Sequence, residues 1–72
     1  MRNHNAPRRT NDSPIAQARL AKGWTQQQLA EALGVGQPMI AHWETGAKKP
    51  KMQTLMRIAD ALGVDWLTLI DK

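Results

Sequence analysis

Two short helical patterns separated by a glycine turn constrain this chain more than any other feature. They lie in residues 25–44, which read TQQQLAEALGVGQPMIAHWE. Thr25 is a favourable N-cap, and Gln28 follows at the spacing of a capping box. Gly34 stands where a helix commonly ends in a left-handed residue. Between these ends the apolar residues recur at helical spacing: Leu29, Ala30 and Leu33. The pattern predicts a helix that begins after Thr25 and stops at a tight turn.

A second short helix is predicted directly after this turn. It begins at Gly36 and has Gln37 and Pro38 in its first turn, where proline removes only a donor that would lack a partner anyway. Ile40 and Trp43 are three residues apart and share one face. The other face carries Gln37, Pro38, Ala41, His42 and Thr45. A helix that buries isoleucine and tryptophan and exposes glutamine and histidine is suited to insertion into a groove.

The stretch resembles the helix-turn-helix of the phage-repressor/Cro family, also called XRE-type. The family pattern T-Q-x-x-L-A-x-x-L-G-V is matched by Thr25, Gln26, Leu29, Ala30, Leu33, Gly34 and Val35. Its continuation I-x-x-W-E-x-G is matched by Ile40, Trp43, Glu44 and Gly46. The likeness extends from about Ile15 to Ile70. It implies an all-α, compact five-helix repressor-like DNA-binding domain with the helix-turn-helix at helices 2 and 3. Helix 3, about 36–45, is then the helix that reads the DNA major groove.

Further helices are predicted on both sides of the motif. Helix 1 is capped by Ser13 and runs to about Lys22, with Ile15, Ala18 and Leu20 supplying apolar contacts. Helix 4 follows Pro50, and its apolar stripe consists of Leu55, Ile58, Ala59 and Leu62. Asp65 is the expected N-cap of a last short helix from Trp66 to about Ile70.

The first twelve residues are predicted to form a disordered basic arm before a DNA-binding domain of residues 13–72. The arm reads MRNHNAPRRTND and shows no apolar periodicity. Its positive charges are Arg2, Arg8 and Arg9. Two interpretations stay open: the arm follows DNA phosphates or enters a minor groove, or it is a solvated tail.

The resemblance also implies roles for individual residues. Contacts with base edges are implied for Gln37, Pro38, Met39 and His42. Contacts with the DNA backbone are implied for Gln26, Gly36, Thr45, Lys48, Lys49 and Lys51. In the family, an arginine at the place of Arg19 forms a structural ion pair with the glutamate matched by Glu44. Glutamine can bind adenine through N6 and N7 together, which suits Gln37 to base readout. Gly36 lacks the usual cap hydroxyl and Pro38 cannot donate, so DNA shape is expected to contribute to specificity.

Charge and composition favour a polyanionic partner over other ligand classes. The 72 residues carry a net charge of +4 and a pI of about 10.2. The absence of cysteine and the presence of only two histidines argue against a metal site. No nucleophile–base set or glycine-rich phosphate loop is present, so neither enzyme activity nor a cofactor is expected. No membrane span or signal-peptide core is recognisable, and a cytoplasmic protein is expected.

Together these patterns predict a sequence-specific DNA-binding transcriptional regulator, with repression as the expected role and double-stranded DNA as the partner. The alternative is a protein-interaction module, such as an antitoxin or phage regulator that acts mainly through a protein partner. The C-terminal apolar residues leave a further choice open: Trp66, Leu67, Leu69 and Ile70 either pack on helix 1 or form the seam of a homodimer. Met52 and Met56 lie at the edge of the helix 4 stripe and could join such a seam.

Overall fold

Helices account for most of the chain that the computed structural model describes, which is residues 13–70. The α-helices are α1 (Pro14–Ala21), α2 (Gln26–Leu33), α3 (Gln37–Thr45) and α4 (Met52–Leu62), and a 3-10 helix follows at Trp66–Leu69. The predicted all-α class is confirmed, and residues 13–70 contain no strand. The predicted arm of residues 1–12 lies outside the described residues. Within the described part, no helix combines the length and apolar character needed to cross a bilayer.

The predicted count of five helices needs one correction, at the C-terminal end. The last element is a 3-10 helix of 4 residues rather than a fifth α-helix. Asp65 caps it as expected, since its carboxylate accepts from Leu67 N at 3.1 Å. The bonds that follow join residues three apart, such as Thr68 N to Asp65 O at 2.9 Å. A segment this short closes only one turn, and the tighter 3-10 geometry is common in such pieces.

The ends of α1, α2 and α3 are set by local hydrogen bonds and by glycine. Ser13 Oγ accepts from Ala16 N at 3.1 Å and caps α1. Thr25 and Gln28 form the predicted capping box, with bonds of 3.1 and 2.8 Å. Gly34 ends α2 at φ 73°, a left-handed conformation that residues with a Cβ rarely adopt. Gly36 is the N-cap of α3, so the predicted start of that helix at Gly36 is one residue early.

One apolar core joins all five helices. Leu29, Ile40 and Ile58 are fully buried at its centre. The remaining core residues are Ile15, Ala30, Leu33, Leu55, Ala59, Leu62 and Leu69, and Trp24, Trp43 and Trp66 pack against them while partly buried. The helix 4 stripe is therefore on the buried face, as predicted. The expectation that Leu20 supplies an apolar contact on α1 is wrong, because Leu20 is 50% exposed. Arg19, one turn after Ile15, takes the inward position instead.

A buried ion pair ties α1 to the end of α3. Arg19 Nε donates to Glu44 Oε2 at 2.6 Å, and Arg19 Nη2 donates to Glu44 Oε1 at 3.1 Å. The third guanidinium nitrogen, Nη1, donates to Trp24 O at 2.8 Å. The two side chains are 7% and 0% exposed. A parallel pair of charge-assisted bonds of this kind fixes the relative position of two helices as well as their distance.

Removing one partner of this pair is expected to destabilise the fold strongly. Glu44→Ala should lower the free energy of unfolding by about 3–5 kcal/mol, because the Arg19 guanidinium is left buried without its counter-charge. Urea denaturation measures this loss. Glu31→Ala is the matched control, since Glu31 is exposed, and a change within about 0.5 kcal/mol is expected there. The double variant Arg19→Met/Glu44→Leu should recover part of the loss, because no unpaired charge remains. Equal stabilities for Glu44→Ala and Glu31→Ala would contradict the role of the pair.

Candidate nucleic-acid interface

The turn between α2 and α3 fixes how α3 projects from the domain. Residues 34–36 connect the two helices, and Val35 N donates to Ala30 O at 3.0 Å across the end of α2. Arg57 on α4 donates from Nη2 to Leu33 O at 2.9 Å. That carbonyl belongs to the last turn of α2, where no partner exists within the helix. The turn is thus held from within α2 and from α4, while Ile40 anchors the inner face of α3 in the core.

The outer face of α3 carries the side chains that the resemblance assigned to base edges. Pro38 and His42 are exposed and lie four residues apart, on one strip of the helix. Gln37 and Met39 are half-buried on either side of Pro38. These residues occupy the first turn and the middle of α3 (Gln37–Thr45). We call these four residues the α3 face, in which the exposed strip of Pro38 and His42 is flanked by the half-buried Gln37 and Met39.

Two glutamines connect the α3 face to the buried ion pair. Gln37 Nε2 donates to Gln26 Oε1, and Gln26 Nε2 donates to Glu44 Oε1 at 2.9 Å. Gln26 and Gln37 are the first residues of α2 and α3, so the two helix starts lie side by side. The family resemblance implies a DNA-backbone contact for Gln26, and no sequence pattern predicts either of these two bonds. The sequence does show that both residues are amides at the start of a helix. Whether the two amides pair depends on how the helices pack, which the sequence pattern does not indicate.

Exposed lysines surround the end of α3. Lys48, Lys49 and Lys51 lie in the loop between α3 and α4, and all three are exposed. Gly46 ends α3 at φ 84°, and Lys48 N then donates a hydrogen bond to His42 O at 3.2 Å. We call these three lysines the basic loop, whose backbone is joined to the last turns of α3 at Lys48.

The remaining residues assigned to the DNA backbone differ in what they can offer. Gly36 caps α3 without a side-chain hydrogen bond, so only its backbone is available there. The Thr45 hydroxyl donates to His42 O at 3.3 Å and accepts from Ala47 N at 3.4 Å, so it already has two partners within the chain. The lysine ammonium groups of the basic loop have no such intramolecular role in the described structure.

The electrostatic balance of this surface is positive. Residues 36–51 contain three lysines and one acid, Glu44. Glu44 is fully buried and paired with Arg19, so it does not offset the lysine charges. The other described acids, Glu31, Asp60 and Asp65, lie on other elements. Three exposed lysines beside a helix face that carries Gln37 and His42 are the arrangement expected of a surface that binds a polyanion.

Comparison with known proteins agrees with this arrangement. A family model described as helix-turn-helix matches residues 15–69. The chain belongs to this helix-turn-helix family, of the XRE type. The predicted recognition of the family is thereby confirmed over nearly the whole of the described structure. Relatives that the chain matches are named as HTH-type transcriptional regulators.

Individual relatives carry the same description. The chain is 38% identical over 56 residues to the HTH-type transcriptional regulator SutR of Escherichia coli (strain K12), a match that covers 78% of this chain and 32% of SutR. It is 38% identical over 48 residues to the uncharacterized HTH-type transcriptional regulator YqaF of Bacillus subtilis (strain 168), covering 67% of this chain and 63% of YqaF. The chain thus spans about a third of one relative and less than two thirds of the other.

A solved structure also supports the fold of this helix-turn-helix domain. The hypothetical transcription factor NHTF from Neisseria is similar with a TM-score of 0.71, over 96% of this chain and 83% of that chain. The two sequences are 23% identical over the match. At this distance the likeness concerns the arrangement of helices.

The basic loop is expected to act through charge alone. Lys49→Ala should weaken binding to all DNA sequences about equally and reduce the slope of log affinity against log salt by roughly 1. Lys49→Arg is the matched control and should keep the slope, because it keeps the charge. Fluorescence anisotropy with an unrelated duplex, repeated over a series of salt concentrations, measures both. Unchanged slopes for Lys48→Ala, Lys49→Ala and Lys51→Ala would remove the loop from the DNA interface.

Proposed function

We propose that this chain is a sequence-specific DNA-binding transcriptional regulator that places α3 in the major groove and acts as a repressor. The observation that carries the proposal is the α3 face, where an anchored glutamine amide and the exposed Pro38 lie in the first turn, and the exposed His42 lies one turn further toward the basic loop. An α-helix fits the major groove, where each base pair presents a distinct pattern of donors and acceptors. The inner face of α3 is fixed in the core, so only the α3 face is free to enter the groove.

The proposed contacts divide into two groups with different consequences. Gln37, Pro38, Met39 and His42 contact base edges and provide sequence preference. Gln26, Gly36, Thr45 and the three lysines of the basic loop contact phosphates and position the domain. Phosphate contacts fix orientation without reading sequence, whereas contacts in the groove distinguish bases. The clustering of the first group on α3 and the exposure of the lysines support this division.

Within the first group, the side chains offer different kinds of readout. The Gln37 amide carries both a donor and an acceptor, which matches the N7 and N6 positions of adenine. Pro38 and Met39 supply apolar surface that suits a thymine methyl group. His42 is exposed and adds a donor or an acceptor. With so few polar groups on α3, we expect the shape and deformability of the site to contribute to specificity.

A second copy of the chain is the proposed partner on DNA. Several large apolar side chains are strongly exposed: Leu20 50%, Met52 52%, Met56 50%, Leu67 59% and Ile70 39%. Leu67 and Ile70 belong to the C-terminal end, for which the sequence leaves open packing on helix 1 or a homodimer seam. Pairing through this end would place two α3 helices on the halves of a pseudo-palindromic site. A dimer of this kind, bound across a promoter, would repress by occupying it.

Gln37 is expected to determine base preference at one position. On a site selected from random DNA, Gln37→Ala should lose roughly 1–3 kcal/mol of binding free energy and relax preference at a single base pair. Binding to unrelated DNA should barely change, because the phosphate contacts remain. Gln27→Ala is the matched control, since Gln27 is exposed on α2 outside the α3 face. Repeating the selection with each variant gives the preference. An unaltered site and affinity for Gln37→Ala would favour DNA shape or a protein partner as the basis of recognition.

Two copies are expected on each site. Footprinting should show two half-sites centred roughly 34 Å apart, one turn of DNA, with two chains per duplex. Leu67→Glu should reduce this to one chain and one half-site without unfolding the domain, since Leu67 is 59% exposed. Gln53→Glu adds the same charge at an exposed polar position of α4 and should leave the stoichiometry unchanged. A single short half-site bound by one wild-type chain would contradict the dimer.

A further inference from the structure

Two helix ends in this chain have almost the same sequence and the same backbone. Residues 30–35 read AEALGV at the end of α2, and residues 59–64 read ADALGV at the end of α4. Gly34 and Gly63 are both left-handed, with φ of 73° and 70°. At each end the N–H groups of the glycine and of the following valine donate to carbonyls of the last turn, at 3.0–3.3 Å. The backbone cap alone therefore gives the two ends the same local geometry.

One hydrogen bond distinguishes the two ends. Arg57 on α4 donates from Nη2 to Leu33 O at 2.9 Å, whereas among residues 13–70 no side chain donates to the corresponding Leu62 O. The last turn of α2 has no basic residue of its own, and Glu31 adds a negative charge there. A cation is favourable at the C-terminus of a helix, where several carbonyls lack partners within the helix. Arg57 therefore supplies from α4 the positive charge that the end of α2 lacks.

The peptide that Arg57 contacts is the one from which the turn toward α3 begins. Leu33 O and the Gly34 N–H belong to one planar peptide group, so a hydrogen bond to the oxygen restrains the whole plane. The connection to α3 consists of residues 34–36, and two of these three residues are glycines. Glycine has access to more backbone conformations than other residues, so this connection has little stiffness of its own. A restraint on its first peptide narrows the directions in which α3 can leave the turn.

The first turn of α3 depends on this restraint more than the rest of the helix does. Ile40 is fully buried in the middle of α3, and Glu44 ties the last turn to Arg19. Gln37 and Pro38 precede both of these anchors and follow directly on the turn. Side chains that read a ligand must be held within about 0.5 Å and 10–20° of the productive geometry. A small rotation of the peptide at the end of α2 is therefore enough to disturb contacts made by the start of α3.

We propose that Arg57 is a positioning residue for α3, which fixes the peptide at the end of α2 and thereby sustains discrimination between DNA sequences. This inference rests on the proposed placement of α3 in the major groove. Arg57 needs no contact with DNA for this role, because it acts through Leu33 O. The benefit arises before binding, since a turn that already has its bound geometry loses less conformational freedom when α3 enters the groove.

The first measurement compares specific with non-specific DNA binding by the full chain. A preferred site is selected from random duplexes with the wild-type chain, and affinity for that site is divided by affinity for an unrelated duplex. Arg57→Met should lower this ratio by roughly 2- to 10-fold, the range that corresponds to the usual net contribution of one hydrogen bond. The ratio cancels the general loss of DNA affinity that removing a positive charge produces. Arg57 is exposed, so the substitution leaves the core intact.

The second measurement needs no DNA. Amide hydrogen exchange, followed by NMR, reports local opening of the peptide that carries the Gly34 N–H. Gly63 in the same molecule is the reference, because its backbone cap is the same and Leu62 O receives no side-chain bond within the described residues. Arg57→Met should speed exchange at Gly34 relative to Gly63 by roughly 2- to 10-fold.

Two further variants separate positioning from charge and from general stability. Arg57→Lys keeps the charge and one donor group, so both measurements should fall between the wild type and Arg57→Met. Ser13→Ala is the matched control for stability, because it also removes one hydrogen bond, the 3.1 Å cap of α1, and leaves the turn untouched. Ser13→Ala should keep the wild-type DNA ratio and the wild-type ratio of Gly34 to Gly63 exchange.

The possible results separate this inference from the proposed function. A lowered DNA ratio together with faster Gly34 exchange in Arg57→Met, both weaker in Arg57→Lys, is the result that supports the proposal. Faster Gly34 exchange with a wild-type DNA ratio would overturn the positioning role and leave the proposed function intact. Unchanged Gly34 exchange, or an equal loss of DNA discrimination in Ser13→Ala, would also overturn it. A wild-type chain that selects no preferred site would overturn the proposed function and the positioning role together.

Discussion

The burial of the Glu44 carboxylate is the constraint on which the rest of this structure depends. Glu44 is the penultimate residue of α3 (Gln37–Thr45), where a negative charge opposes the helix dipole, and it is fully buried. Both circumstances are unfavourable unless donors surround the carboxylate. Arg19 supplies two bonds and Gln26 supplies a third. Because these donors come from α1 and α2, satisfying Glu44 requires α1, α2 and α3 to pack in one particular arrangement.

The same requirement separates two kinds of surface around α3. Gln37 is connected through Gln26 to the core, so its amide is held in a fixed direction before any ligand arrives. The lysines of the basic loop are exposed, and their ammonium groups act over a distance by charge. An anchored amide suits the proposed reading of a base edge, which depends on direction. Exposed charges suit the proposed contact with phosphates, which depends on proximity and tolerates variation in geometry.

The local features of this fold were readable from sequence, and the features that connect distant helices were not. The caps at Ser13 and Thr25 and the stripe of α4 depend on residues three or four apart, and the structure confirms them. The bond from Gln26 to Glu44 spans 18 residues, and no pattern in the sequence indicates it. Leu20 shows the same limit, because the inward place on α1 went to Arg19, whose partner is 25 residues away. The residues of the candidate site could therefore be predicted from the sequence, whereas their arrangement could be known only from how the helices pack.

The distribution of donors on this surface suggests why a second copy would matter to the proposed function. Gly36 offers only backbone, the Thr45 hydroxyl is engaged within the chain, and Pro38 has no donor. The basic loop then supplies most of the attraction to phosphates. This attraction is independent of DNA sequence and weakens as the salt concentration rises. Sequence preference falls to Gln37 and a few neighbours on one short helix. One such surface discriminates among few base pairs, whereas two copies on a single site combine their preferences, since mismatch costs at well-separated positions add. The exposed apolar residues at the C-terminal end are consistent with that need.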